Sequence, residues 1–407
     1  MGDETLTLIL AGGEGSRLQP LTRDRAKPAV PFGGRYRIID FVLSNCLHSG
    51  MRRILVLTQY KSHSLHKHLR DGWSIFNPQL GEYVTAVPPQ MRVDDAWYQG
   101  TANAVFQNWY LAERSGAKYV LVLAGDHIYR MDYAAMLTEH HDSGCDLTVA
   151  CMPAPLHEAS RFGVAQVNAD GRIEYFQEKP DNPAPIPDRP DEALVSMGIY
   201  VFSIDALREA LHADHDTTSS SHDFGADIIP MMLTRGPVNS YRFGGPSGRV
   251  SPDRYWRDVG TIDGYFGATM DLLQPIPPLD LYQLGWEIRS DAPQHPPART
   301  TSGVSGNEGV CVNSLVANGV MISGARVSRS VLFPTVKVMD GAVVENSILF
   351  EGTQVGPGAN LRNCIVDKDV CIPAGFEVGV SQAADRERFH VSEGGVVVIP
   401  KSYQFQP

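Results

Sequence analysis

Cysteine is scarce. Six residues in 407 are Cys46, Cys145, Cys151, Cys311, Cys364 and Cys371, and no two form a C-x-x-C pair. That excludes a zinc ribbon or a dithiol redox motif, and scattered thiols in a large chain suit the reducing cytoplasm. Long apolar runs are missing too. None approaches the ~20 residues of a membrane span. The run Leu6 to Ala11 is too short for a secretory signal, and Leu6 stands where a myristoylation pattern needs Ser or Thr. There is no basic excess: Lys and Arg number 35 against 46 Asp and Glu, a net charge of −11. Such a chain lacks the electrostatic footprint of a nucleic-acid or membrane-surface binder, although a few converging cations can still hold an anion. Its first glycine cluster is not followed by G-K-[ST], so it is no P-loop. Leu18 takes the place of the third glycine of a dinucleotide fingerprint.

Glycine and proline are plentiful, 38 and 28 residues, which suits many tight turns. The length predicts two or three domains. Leu6 to Ala11, Arg53 to Thr58 and Tyr119 to Ala124 are continuous apolar runs, the pattern of strands buried on both faces of a sheet covered by helices. A helix is predicted after the third run. Asp132 is its N-cap, Tyr133, Met136, Leu137 and His140 follow at helical spacing, and Gly144 ends it. Strand–helix alternation argues an α/β layer fold with its ligand crevice at the carboxyl ends of the strands. Prolines between Pro180 and Pro190 mark an exposed loop. Those between Pro275 and Pro297 mark a domain boundary.

Past that boundary a 17-residue repeat takes over. Ser330-Val-Leu-Phe, Ser347-Ile-Leu-Phe and Cys364-Ile-Val-Asp recur at that step, as do Val327, Val344, Leu361 and Val378. Gly-Ala pairs at Gly324, Gly341 and Gly358 share the period. Three short strands per coil, with small residues at the corners, describe a parallel β-helix, since a sandwich of hairpins would not keep so strict a register. The chain therefore divides into a domain over residues 1–274, a linker over 275–300 and a β-helix over 301–407.

Residues 10–34, LAGGEGSRLQPLTRDRAKPAVPFGG, carry the strongest chemical signal. Gly12, Gly13 and Gly15 follow a strand, so backbone amides can approach an anion closely, and Arg17 and Lys27 add positive charge. This segment resembles the signature of the sugar-nucleotide pyrophosphorylases. Residues 38–46 (IIDFVLSNC), 97–102 (WYQGTA), 124–130 (AGDHIYR), 178–180 (EKP), 196–202 (SMGIYVF), 221–225 (SHDFG) and 255–261 (YWRDVGT) extend the likeness. It is strongest to the bacterial branch that transfers an adenylyl group from ATP to glucose 1-phosphate in glucan synthesis.

The resemblance implies a Rossmann-like nucleotidyltransferase domain with a mixed, mostly parallel sheet, followed by a left-handed parallel β-helix. It implies Mg²⁺ held by Asp126 and Asp258, with Arg17, Lys27 and Asp126 serving catalysis. It implies Lys179 on the sugar phosphate, and a sugar pocket using Tyr98, Gly163, Glu178 and Ser196. A homotetramer and allosteric effectors (AMP, sugar phosphates) are further implications, with Arg37, Arg114 and Arg388 as effector ligands. Asp24 and Pro31 depart from the family pattern, where a lysine and a histidine serve fructose 1,6-bisphosphate. Weak activation by that compound is therefore expected. Asn103 stands where the family usually has Asp.

The histidines outside these motifs read as non-metal residues. His63, His66 and His68 are expected on a solvated polar face, and His212, His215 and His222 around a mobile surface loop. Three other functions compete: the same transfer from another nucleoside triphosphate, a non-catalytic regulatory subunit, and an acyltransferase working through the β-helix. The last needs a catalytic histidine, yet beyond the boundary region only His390 occurs.

Overall fold

The three apolar runs lie side by side. A computed structural model describes the chain except for residues 91–96, 246–247, 250–253, 292 and 406–407. Its main sheet has nine strands: β1 (Thr5–Ala11), β2 (Arg53–Thr58), β3 (Tyr83–Val87), β4 (Tyr119–Ala124), β5 (Leu147–Pro155), β6 (Gly163–Val167), β7 (Arg172–Glu178), β8 (Glu192–Ser203) and β9 (Val238–Arg242). Their spatial order is β3-β2-β1-β4-β8-β5-β9-β7-β6. The first four are mutually parallel. β8 runs antiparallel to both β4 and β5, so the parallel character belongs mainly to one half of the sheet.

Alternation along the strands explains their uniform apolarity. Leu8, Leu55 and Val122 point into one core cluster, while Ile9, Val56 and Leu123 point into another on the opposite face. Helices cover both faces. One face carries α1 (Ile38–His48), α2 (His63–Trp73) and α3 (Tyr133–Ser143). The predicted third helix forms with its caps: Asp132 accepts from the Ala134 amide at 3.1 Å, and Gly144 closes it with φ of 62°.

Two expectations about histidine need correction. His68 is buried, not solvated, because it shares the inner face of α2 with Leu65 and Leu69. It meets Asp40 at 2.6 Å, and the Trp73 indole donates to the same carboxylate. His66 is half-buried against the Thr58 hydroxyl at 2.8 Å, which leaves His63 exposed. The expected surface loop within residues 213–223 is exposed over residues 216–219 but anchored at both ends. His212 and His215 flank the Phe106 ring on the helix Ile204–His215, and His222 pairs with buried Asp214 at 2.8 Å.

The C-terminal repeat builds three sheets of parallel strands, one strand from each per coil, the first coil beginning at Arg299, and the third sheet ends in an antiparallel pair of His390–Val391 with Val397–Ile399. Their inward residues (Val327, Val344 and Leu361 among them) make one continuous core. The repeating serine has a role of its own. Ser314 Oγ accepts from the Ser330 amide, Ser330 Oγ from the Ser347 amide and Ser347 Oγ from the Cys364 amide, a ladder along the axis.

The linker is a strap. Trp286 is buried, donates to Asn45 Oδ1 at 2.9 Å and stacks on His48. Ser290 donates to Asp40. The two domains share a core in which Phe32, Phe41 and Tyr265 meet Val331, Phe333 and Phe350. Across it Arg25 makes a two-pronged, buried pair with Asp367 at 2.9 and 3.0 Å.

Candidate functional site

Because β1, β2 and β4 are parallel, their carboxyl ends share one edge. Gly12, Gln59 and Gly125-Asp126 follow those ends. The glycine turn therefore faces Asp126 across one crevice. Gly15 adopts φ of 66°, and a Cβ there would sit 3.2 Å from Lys27 Cβ and 3.1 Å from Thr22, so the turn favours glycine. The Thr22 hydroxyl donates to the Gly15 carbonyl at 2.7 Å and pins it. Gly13 faces open space.

Lys27 lies at the start of a short 3-10 turn and is 7% exposed. Its ammonium donates to Asp126 Oδ2 and Asp258 Oδ1, each at 2.8 Å. Asp258 reaches the same place because Trp256–Asp258 pairs antiparallel with His127–Tyr129. Burial opposes the charge on Lys27, but the two carboxylates outweigh it and hold its pKa above the ordinary lysine value. Burial likewise opposes ionisation of Asp126. Lys27 and His127 overcome it, so the carboxyl titrates well below its usual range. Arg17 completes the cationic side: a Cβ on Gly260 would lie 3.3 Å from Arg17 Nη2 and 2.9 Å from Asp258 Oδ2.

His127 was not singled out from the sequence. Its Nε2 stands 3.5 Å from Asp126 and 4.0 Å from Asp258, and ligand atoms of the three residues lie within 4.8 Å of one another. Two carboxylates converging on a positive charge are the donor type that a hard divalent cation takes, so the residues fit Mg²⁺.

A second group lies along β6, β7 and β8. Gly163 pairs with Glu178 at the end of β7. Lys179 follows with φ of 44°, its side chain mostly exposed and its ammonium 2.8 Å from Glu178 Oε1. Ser196 is buried where the β8–β5 register shifts, and its Oγ accepts from the Gly198 amide. Gly198 links the two groups, since its Cβ position is 3.4 Å from Ala124 and 3.7 Å from His127. Trp256 also spans them, touching the rings of His127 and Phe162, while the Phe162 carbonyl accepts from the Lys179 amide. Tyr98 is half-buried with its ring packed against the core, and its hydroxyl accepts from Asn108 Nδ2 at 2.8 Å. Asn103 has a local job: its Oδ1 accepts from the Gln99 amide and from Gln107 Nε2.

The three candidate effector arginines are dispersed. Arg37 lines an interdomain cavity of about 1010 Å³ with Lys368, Glu351 and His295, and donates to the Ser64 carbonyl. Arg114 is exposed over the Tyr110 ring and Arg388 over Phe376, both outside that lining.

Known proteins share this architecture. The nucleotidyl transferase family matches residues 6–275, and the GlmU-like C-terminal hexapeptide family matches residues 296–399. The chain is 60% identical to glucose-1-phosphate adenylyltransferase 2 of Vibrio cholerae, covering 99% of both chains. It is 61% identical to the protein of that name from Vibrio vulnificus, over 99% of this chain and 100% of the relative. It is 47% identical to glucose-1-phosphate adenylyltransferase of Pectobacterium carotovorum, over 98% and 95% of the two chains.

Proposed function

The chain belongs to the nucleotidyl transferases and, within them, to the glucose-1-phosphate adenylyltransferases, and from that membership we propose how its crevice makes ADP-glucose. A phosphate oxygen of glucose 1-phosphate attacks the α-phosphorus of ATP. The bond to the β-phosphate oxygen breaks, and diphosphate leaves with the electron pair. A phosphate is already a nucleophile, so positioning and charge neutralisation do most of the work.

Each residue group then has a task. The amides of Gly12, Gly13 and Gly15 cradle the triphosphate, with Arg17 and Lys27 neutralising it. Asp126 and Asp258 hold Mg²⁺, which when bound neutralises phosphate charge. Lys179 takes the sugar phosphate, and its exposed ammonium is free to swing from Glu178. Glu178, Ser196, Gly163 and the Tyr98 ring line the sugar side. The observation that carries this reading is the Asp126–Lys27–Asp258 bridge. It joins the nucleotide turn to two carboxylates from separate strands, a charge arrangement suited to phosphates and a divalent cation together.

Regulation belongs to the cavity lined by Arg37 and Lys368, which is the size and charge for a small phosphorylated effector. Asp24 is exposed and acidic, and Pro31 lines that cavity without a charge, so fructose 1,6-bisphosphate activates weakly. Apolar Val304, Val312 and Met321, exposed on the first coils, suit contact with further copies in a homotetramer. Six unpaired cysteines suit the cytoplasm, where the product feeds glycogen or a related glucan.

The test is initial-rate formation of ADP-glucose from ATP and glucose 1-phosphate, with Mg²⁺ supplied and then chelated. Turnover that needs the metal supports the assignment. Full turnover in excess chelator refutes the Asp126–Asp258 metal role, and an inactive wild type with every effector points to a regulatory subunit.

A further inference from the structure

The strap at residues 214–225 sits behind the sugar side and is locked by a pair with no assigned role. Asp214 is buried. It accepts from the Ser220 hydroxyl at 2.6 Å and meets His222 Nδ1 at 2.8 Å. His222 pays for this geometry with φ of 56°, a left-handed conformation unusual for a side chain with a Cβ. That turn aims its carbonyl at the helix Thr101–Gln107, where it accepts from the Ala102 amide at 2.8 Å. The fit is close: a Cβ on Gly100 would stand 2.3 Å from the His222 carbonyl oxygen. The next residue completes the lock. Asp223 accepts from the Thr101 hydroxyl at 2.8 Å, and the Phe224 amide donates back to that hydroxyl.

Both ends of this unit touch the proposed sugar pocket. Asn108, which ends the helix, donates to the Tyr98 hydroxyl. Gly225, held by Asp223 Oδ1 at 2.8 Å, abuts Glu178: a Cβ there would lie 2.2 Å from Glu178 Oε2. Neither Asp214 nor His222 is among the residues that bind substrate in the proposed function. We infer that the Asp214–His222 pair is a positioning latch that sets the affinity for glucose 1-phosphate by fixing the walls that carry Tyr98 and Glu178. The inference rests on the assignment of Glu178 and Tyr98 to the sugar pocket. A latch on this side leaves the glycine turn and Lys27 untouched, so its loss separates the two substrates kinetically.

The test compares His222→Phe, His222→Gly and His222→Asn in the full-length enzyme, with Glu178→Gln as a control for the pocket itself. His222→Phe removes the donor, and His222→Gly also removes the donor while relieving the left-handed backbone. Both are expected to raise KM for glucose 1-phosphate about tenfold, with kcat and the KM for ATP within about twofold of wild type. His222→Asn keeps a donor near Nδ1 and tolerates the backbone, so it is expected to restore the wild-type KM. An unchanged KM for glucose 1-phosphate in the folded Phe and Gly variants overturns the latch, provided Glu178→Gln raises it. If Glu178→Gln leaves it unchanged, the pocket assignment fails first and the latch falls with it. Equal loss for both substrates, not rescued by Asn, shows a merely structural role.

Discussion

The two domains solve opposite problems with the same material. In the β-helix each coil stacks on the next, and many stabilising contacts repeat at 16 or 17 residues, as in the serine ladder from Ser314 to Cys364. In the catalytic domain the decisive contacts skip across the chain. Lys27 reaches Asp126 over 99 residues and Asp258 over 231. A repeat spreads its stability over many equivalent positions, whereas a crevice concentrates function in a few irreplaceable ones. Damage in the coils should therefore appear as lost stability, and damage in the crevice as lost chemistry.

The sharpest contrast lies at the crevice. Asp126→Asn is expected to lower kcat by about a thousandfold with the fold intact, because metal and phosphate positioning fail together. Near-normal turnover at saturating Mg²⁺ would contradict it. Lys179→Ala should raise KM for glucose 1-phosphate about tenfold or more while sparing the KM for ATP, read from paired saturation curves. Two stability effects come next. Asp367→Asn leaves Arg25 buried without its counter-charge, and calorimetry should show a loss of about 3 kcal/mol. Leu361→Ala opens a cavity in the coil core and should cost a similar amount, about 3 kcal/mol, with kcat unchanged. Parallel loss of kcat in the Leu361 variant would break the contrast between the domains.

The smallest effect is a pH dependence. Burial pushes the His140 pKa down to about 4, below its ordinary value of 6.5. The fold therefore prefers the neutral ring. That stability is complete above about pH 6.5 and is lost as pH falls toward 4. His140→Gln should flatten this part of the melting-temperature profile, and an unchanged profile would remove His140 from the explanation.

The same contrast governs what could be read in advance. The β-helix is legible because Val327, Val344 and Leu361 state one period three times over, and an inward aliphatic at each step leaves few alternatives. Parallel strands such as Tyr119 to Ala124 are legible from continuous apolarity, and the Asp132 to Gly144 helix from its caps. The antiparallel half of the sheet is less so, because strands exposed on one side, such as β7, lack that continuity. Asp258 was reached through family likeness, since nothing local says that Trp256–Asp258 pairs with His127–Tyr129. His127 escaped notice for the same reason, Arg25 with Asp367 because the pair depends on how the two domains dock, and Asp214 with His222 because the turn between them carries no periodic signal. His68 misled because charged neighbours on either side hid the inner face it shares with Leu65.

The central claim is that the crevice around Lys27, Asp126 and Asp258 transfers an adenylyl group to glucose 1-phosphate. Diphosphate release from ATP, UTP, dTTP and GTP in turn, each with glucose 1-phosphate as the acceptor, tests it most directly. The expected result is release with ATP well above the other three, abolished by Asp126→Asn. Faster release with another nucleoside triphosphate, or release that survives the substitution, would contradict it.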